Sequence, residues 1–346
     1  MTKRGKLAAA VGGVLVLAVG AFFLISNKED IPLVNKVFPD PVTCPLTGVE
    51  PRDEALAERA AVAVKIENAP VAYPLSGLED AEVVFEEVVE GGITRFMAIY
   101  HCTDSTKAGP VRSAREVDPA IMMPITKILA FSGANQTVLN ALDEAGVVVV
   151  DETGSNGAME RVARAGLTSE HTLYADSKAV RKVARKGYSD PPPDDMWEFG
   201  SLEDNGKTKK AGEVTIGFSG ATTVGYTWDG DGYLRTQGGQ PFMAESGEQI
   251  KVPNVLIEEH EVNYSSVTDV AGNPSVEIAD ETGSGKAVLF RDGRAIVGTW
   301  SRESIDSPVV FETKSGDKMV FAEGAVWIHL VPSDAGEVKG SFSFVK

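Results

Sequence analysis

"EEVVEGGITRFMAIYHCTDSTKAGPVRSARE" runs from Glu86 to Glu116. Two apolar runs flank Gly91-Gly92, and a glycine pair between such runs predicts a β-hairpin. Its strands are "EVVFEEVVE" (82–90) and "ITRFMAIYHC" (93–102). With the two glycines as the turn, Glu90 faces Ile93, Val88 faces Arg95 and Glu86 faces Met97. In that register Glu82, Glu86, Glu90 and Arg95 share one face. Pro110 then sets φ for a helix entry, and "VRSAREVDPAIM" (111–122) is expected to begin as a helix. Arg112 and Arg115 would lie on one side of it, with Ser113 between them. Arginines oppose the positive end of a helix dipole, so they call for a negative partner. That partner is either a bound anion or the carboxylates of Glu86 and Glu90. Glu86, Glu90, Arg95, Arg112, Ser113 and Arg115 are therefore expected to converge.

Outward from this stretch the pattern is mixed and then changes. "AAVAVKIEN" (60–68), "KILAFSG" (127–133) and "VVVVDE" (147–152) read as strands, the last one short and buried. "NQTVLNALDEAG" (135–146) reads as a helix with Val138, Leu139, Leu142 and Ala145 on one stripe. "DSKAVRKVARKG" (176–187) is a basic helix capped by Asp176 or Ser177. A proline- and charge-rich stretch from Tyr188 to Glu213 follows. After it come short alternating segments separated by "DGDG", "RDGR" and "KSGD" turns. The fold class expected is α+β. A mixed α/β domain (59–190) and a linker (191–211) precede a mostly-β domain (212–346).

The first 58 residues are a different matter. Lys3, Arg4 and Lys6 precede an uncharged apolar run of 19 residues, Leu7–Ile25. That length spans a bilayer as one helix, and the cationic flank should stay in the cytoplasm. Residues 1–6 are then a cytoplasmic tail, 7–25 a transmembrane anchor and 26–58 a linker. The bulky end of the run, "AFFLIS", favours an uncleaved anchor over a signal peptide. The expected location is the cell membrane, single-pass, with the bulk of the chain extracytoplasmic. Asp and Glu number 50 against 33 Lys and Arg, a net charge of −17, which works against a nucleic-acid partner and leaves anion binding to a local basic patch. There are two cysteines, and no CxxC or HExxH pattern, so no metal or cofactor is expected. Cys44 precedes the first strand and Cys102 ends the second hairpin strand. A disulfide between them is expected outside the cytoplasm.

"KIENAPVAYPLSGLEDAEVVFEEVVEGGITRFMAIYHC", followed by "GPVRSAR", resembles the YerB-like family of bacterial extracytoplasmic lipoproteins. "GKAVLFRDGRAIVGTWSRES" and "FAEGAVWIHLVP" are similar to that family's C-terminal domain. The resemblance covers roughly residues 60–332 and implies two domains and an extracytoplasmic address. It also singles out His171 in "EHTLY", where the family pattern has His-Asn and this chain has Thr172. No cysteine directly follows the apolar run, so a helix replaces the lipid anchor. Three functions stay open. The Arg/Glu cluster binds an anionic envelope polymer or a partner protein, or it serves an enzyme acting on an anionic glycan or phosphopolymer. In the third, it is internal to a structural adaptor.

Overall fold

In the computed structural model, residues 41–202, 208–268 and 272–346 are described. The apolar run 7–25 and its flanks lie outside them. Among the described residues no helix is long and apolar enough to cross a membrane.

From the first half the large sheet takes β1 (Val62–Glu67), β2 (Val83–Val88), β3 (Thr94–Tyr100), β4 (Ile128–Phe131) and β5 (Val148–Asp151). The strands used below from the second half are β6 (Glu213–Gly217), β7 (Thr223–Trp228), β8 (Tyr233–Gln237), β9 (Asn254–His260), β10 (Gly283–Arg291), β11 (Arg294–Arg302), β12 (Val310–Thr313), β13 (Val326–Pro332) and β14 (Ser341–Val345). The two expected domains share one sheet, ordered β12-β11-β10-β9-β13-β2-β3-β1-β4-β5. The join is a parallel pair, with Val83 opposite Val326 and Glu87 opposite Leu330. Both joining strands are buried on both faces, which is why "VVFEEV" and "VWIHLVP" read as near-continuous apolar runs. A second sheet, with β8, β7, β6 and β14 in that order, covers part of one face.

Alternation along each strand sends its apolar residues into two cores. Val64, Val84, Phe96 and Trp327 meet Phe218, Tyr226 and Tyr233 of the second-sheet region. Ala63, Phe85, Met97 and Leu256 face the opposite side, with Met122, Val138 and Leu142. Those last three belong to helices α1 (Asp118–Met122) and α2 (Gln136–Glu144). α3 (Ser177–Ala184) buries Val180 and Ala184 in the first core. Asn135 caps α2 through the Val138 N–H, and Asp176 caps α3 through the Ala179 N–H. β5 is the edge strand rather than a buried one: it pairs only with β4, and Val149 is exposed.

Candidate functional site

The loop between β2 and β3 runs from Val89 to Ile93, because Val88 pairs with Thr94. Val89 N–H donates to the Ile93 carbonyl at 2.8 Å. Gly91 and Gly92 both take left-handed φ, 74° and 73°, so the glycine pair is needed there. An odd loop shifts the register by one residue from that of a two-residue turn. Glu87 therefore faces Arg95, and Glu86 faces Phe96. This corrects the expected grouping. Glu86 leaves on the opposite face of the sheet from Arg95.

The arginine segment is also not a helix. Arg112 N–H donates to the Lys65 carbonyl at 2.9 Å, Ser132 N–H to the Arg112 carbonyl at 3.0 Å, and Ala114 N–H to the Gly133 carbonyl at 3.1 Å. Backbone groups engaged by β1 and the end of β4 are lost to helical bonding. The helix starts only at Asp118, with Pro119 in its first turn, where a missing N–H costs nothing. The Asp118 carboxylate accepts from the Arg115 N–H at 2.7 Å.

This threading still carries both arginines to the hairpin end. Arg95 of β3 stands in register between Glu67 of β1 and Glu87 of β2. Its Nη1 donates to the Ser113 carbonyl at 2.9 Å. Arg115 Nη2 and Nε lie 2.5 and 3.0 Å from Glu90 Oε2. Ser275 Oγ donates to the other Glu90 oxygen at 2.8 Å. Arg112 Nη1 donates to the Glu170 carbonyl at 3.1 Å. His171 Nδ1 sits 2.8 Å from Glu67 Oε2. Behind them the fully buried Lys65 ammonium bridges Glu87 and Asp118.

Four of the expected residues with charged side chains, Glu90, Arg95, Arg112 and Arg115, thus form one cluster, and Ser113 joins it through its carbonyl. His171 enters through Glu67. Among the described residues no carboxylate lies within 4.0 Å of Arg95 or Arg112, whereas Arg115 is paired. Burial pushes the Arg95 guanidinium down to about 9, and the Arg115 and Arg112 cations push the same way. Burial also raises Glu67, against the pull of His171 and Arg112. Burial opposes ionisation of Glu90 too, but the Arg115 charge and the hydrogen bonds from Arg115 and Ser275 together outweigh it, and the carboxyl falls below its usual range.

Glu86 has other partners. Arg235 of β8 donates to both of its oxygens, at 3.0 and 3.2 Å. His329 Nδ1 lies 3.1 Å away, and Thr94 Oγ1 donates at 2.7 Å. Arg235 sits among the rings of Phe96, Phe242 and Trp327. Sequence reasoning missed Lys65, Glu67, Asp118, Arg235 and His329. Charges inside apolar runs, "VAVKIE", "YLRTQ" and "VWIHLVP", were the available signal.

At the far end of the hairpin, Cys44 and Cys102 are joined by a disulfide with Cα atoms 6.1 Å apart. Glu82 accepts from the N–H groups of Cys102 and Thr103, so it too lies away from the arginines.

Two family profiles match this architecture. Residues 46–189 match "Protein of unknown function (DUF3048) N-terminal domain", and residues 214–328 match the corresponding C-terminal domain. "Putative lipoprotein YerB" of Bacillus subtilis is 28% identical over 335 residues, covering 92% of this chain and 94% of that protein. The chain belongs to the YerB-like family. The crystal structure of the Bacillus subtilis YerB protein superposes with a TM-score of 0.71 at 26% identity, over 87% of this chain and 99% of that one. The YerB-like profiles place their boundary between 189 and 214, yet β2 and β13 pair across it. The N-terminal profile contains Glu67, Glu90, Arg95, Arg112, Arg115 and His171, and lacks Ser275, which holds Glu90 from the other half.

Proposed function

We propose that this is a membrane-anchored extracytoplasmic protein that holds an anionic group of an envelope polymer at Arg95 and Arg112. One observation carries the reading. Arg95, Arg112 and Arg115 lie together, burial and the other two cations depress Arg95, and Arg95 and Arg112 donate only to main-chain carbonyls among the described residues. Guanidinium groups in such a setting gain from a carboxylate or phosphate that takes two parallel hydrogen bonds. Arg112 and His171 are half-buried, so a chain could reach them from outside. The apolar run 7–25 supplies the anchor. The name of the Bacillus subtilis relative, "Putative lipoprotein YerB", agrees with that address.

The test is binding of a phosphate-rich wall polymer to the intact chain, with uncharged glycan as the control. Arg112→Ala should weaken binding about tenfold or more, the worth of one charge-assisted hydrogen bond. It should barely move the melting temperature, since the Arg112 guanidinium holds only one exposed carbonyl. Equal binding of charged and uncharged polymers by both proteins would overturn the reading.

A hydrolytic reading has one observation of its own. Glu67 holds His171 Nδ1, while Nε2 lies 3.7 Å from the exposed Glu170 carboxylate, an arrangement suited to general-base work. Turnover of a phosphodiester probe that His171→Ala abolishes would move the assignment from binder to enzyme.

A further inference from the structure

The second core contains space that the arginine cluster does not use. A chamber of about 50 Å³ lies against Phe85 of β2, Val117, Ile121, Phe311 and Leu330. It adjoins a groove of about 600 Å³, and Met196, Trp197, Arg302 and Phe311 line both. Trp197 is 9% exposed, and its indole N–H has no acceptor among the described residues. A buried donor without a partner is a cost that a ligand's carbonyl or hydroxyl can relieve.

The polar end of the chamber is acidic. Arg302 donates to the carbonyls of Ala120, Met123, Ile305 and Ser307, so its guanidinium is a fixed part of the wall. His260 is held between Glu258 and Asp280. Glu281 is half-buried in the lining and has no hydrogen-bond partner among the described residues. Burial raises its carboxyl above the usual range, and the Glu277 and Glu116 charges add to that against the pull of Arg302. Counting Glu116, Glu258, Glu277, Asp280 and Glu281 against His260 and Arg302 leaves an excess of three negative charges.

We propose that this chamber and groove form a second binding site, for a basic peptide segment. One aliphatic side chain of the peptide enters the chamber, and an adjacent lysine or arginine meets Glu281. A chamber of this size takes an aliphatic side chain and is too small for an aromatic ring. The peptide backbone supplies the carbonyl that the Trp197 indole lacks. The chain's overall charge of −17 favours a cationic partner on approach. The site is separate from the arginine cluster, whose preference is for the opposite charge.

The experiment uses acetyl-Gly-Leu-Lys-Gly-amide, with Gly-Leu-Glu-Gly and Gly-Gly-Lys-Gly versions as controls. Each is titrated into the intact ¹⁵N-labelled chain held in detergent micelles. The Trp197 indole N–H signal should shift with the Leu-Lys peptide and stay with both controls. Glu281→Gln should weaken that binding about fivefold to tenfold without changing the melting temperature. Ala120→Leu, which fills the chamber, should abolish it. Equal response to all three peptides, or no effect of Glu281→Gln, overturns the proposal. A matching response to n-butylamine alone, at the same affinity as the peptide, also overturns it, because the occupant is then a small amine.

Discussion

Glu86 and Arg235 are both fully buried, and they bind each other across the two sheets, 149 residues apart in sequence. The pair ties β2 of the N-terminal segment to β8 of the C-terminal one. Removing one partner leaves a buried charge, which costs about 3–5 kcal/mol. Arg235→Met and Glu86→Gln should each lower the unfolding free energy, measured by urea titration, by that much. If both fall below about 1 kcal/mol, the pair is no strut.

The same pair sets an acid limit. Burial alone would raise Glu86, but Arg235 and His329 outweigh it and bring the carboxyl down to about 2. A folded value below the unfolded one, about 4.3, means the stabilisation is complete above that unfolded value. It is lost as pH falls through the folded value. Wild-type stability should therefore decline between about pH 4 and 2 by more than that of Glu86→Gln, measured by urea unfolding at each pH.

His260 has the opposite sign. Burial would lower its pKa, but hydrogen bonds to Asp280 and Glu258 raise it to about 9. A folded value above the unfolded one, about 6.5, gives stability that is complete below the unfolded value. It is lost as pH rises through about 9. The wild type should lose stability between pH 6.5 and 9. His260→Gln should show a flatter profile over that window. Parallel profiles would mean that His260 is not held as a cation.

Most strands and the two longer helices were legible because each carries its own signal: period, cap and stop. The hairpin register was not. It hinges on whether Gly91-Gly92 is the whole turn or the middle of a longer loop, and the apolar pattern fits both. Val83, Val84, Phe85, Val88 and Val89 give no clean alternation because β2 is buried on both faces. One residue of slip moved Glu86 from the arginine cluster to Arg235. The arginine segment was misread for a similar reason. "VRSARE" has helical propensity, but its main chain is already bonded to β1 and Gly133, a tertiary contact that no local window contains.

The disulfide joins the segment ahead of β1 to the end of β3, with a sequence separation of 58. Closing such a loop in the unfolded chain is worth on the order of 4 kcal/mol in the entropic account. Cys44→Ser with Cys102→Ser should lower stability by about that amount. A loss near zero would mean the unfolded chain is already compact there.

Lys65 gives the sharpest contrast within the cluster. Its ammonium lies between Glu87 and Asp118, all three buried, and one Glu87 oxygen has no hydrogen-bond partner among the described residues. Burial is the main force raising the Glu87 carboxyl, and Asp118 adds to it. Lys65→Met would leave two buried carboxylates facing each other, so a loss of about 3–5 kcal/mol is expected. Restoring neutrality with Lys65→Met, Glu87→Gln and Asp118→Asn together should recover much of it, because the cost lies in unpaired charge rather than in lost contacts. Arg112 and Arg95 keep their carbonyl bonds in the triple variant. If the cluster is a binding site, the triple variant should still bind the phosphate-rich polymer. If it refolds to wild-type stability but no longer binds, the Lys65 group itself belongs to the site.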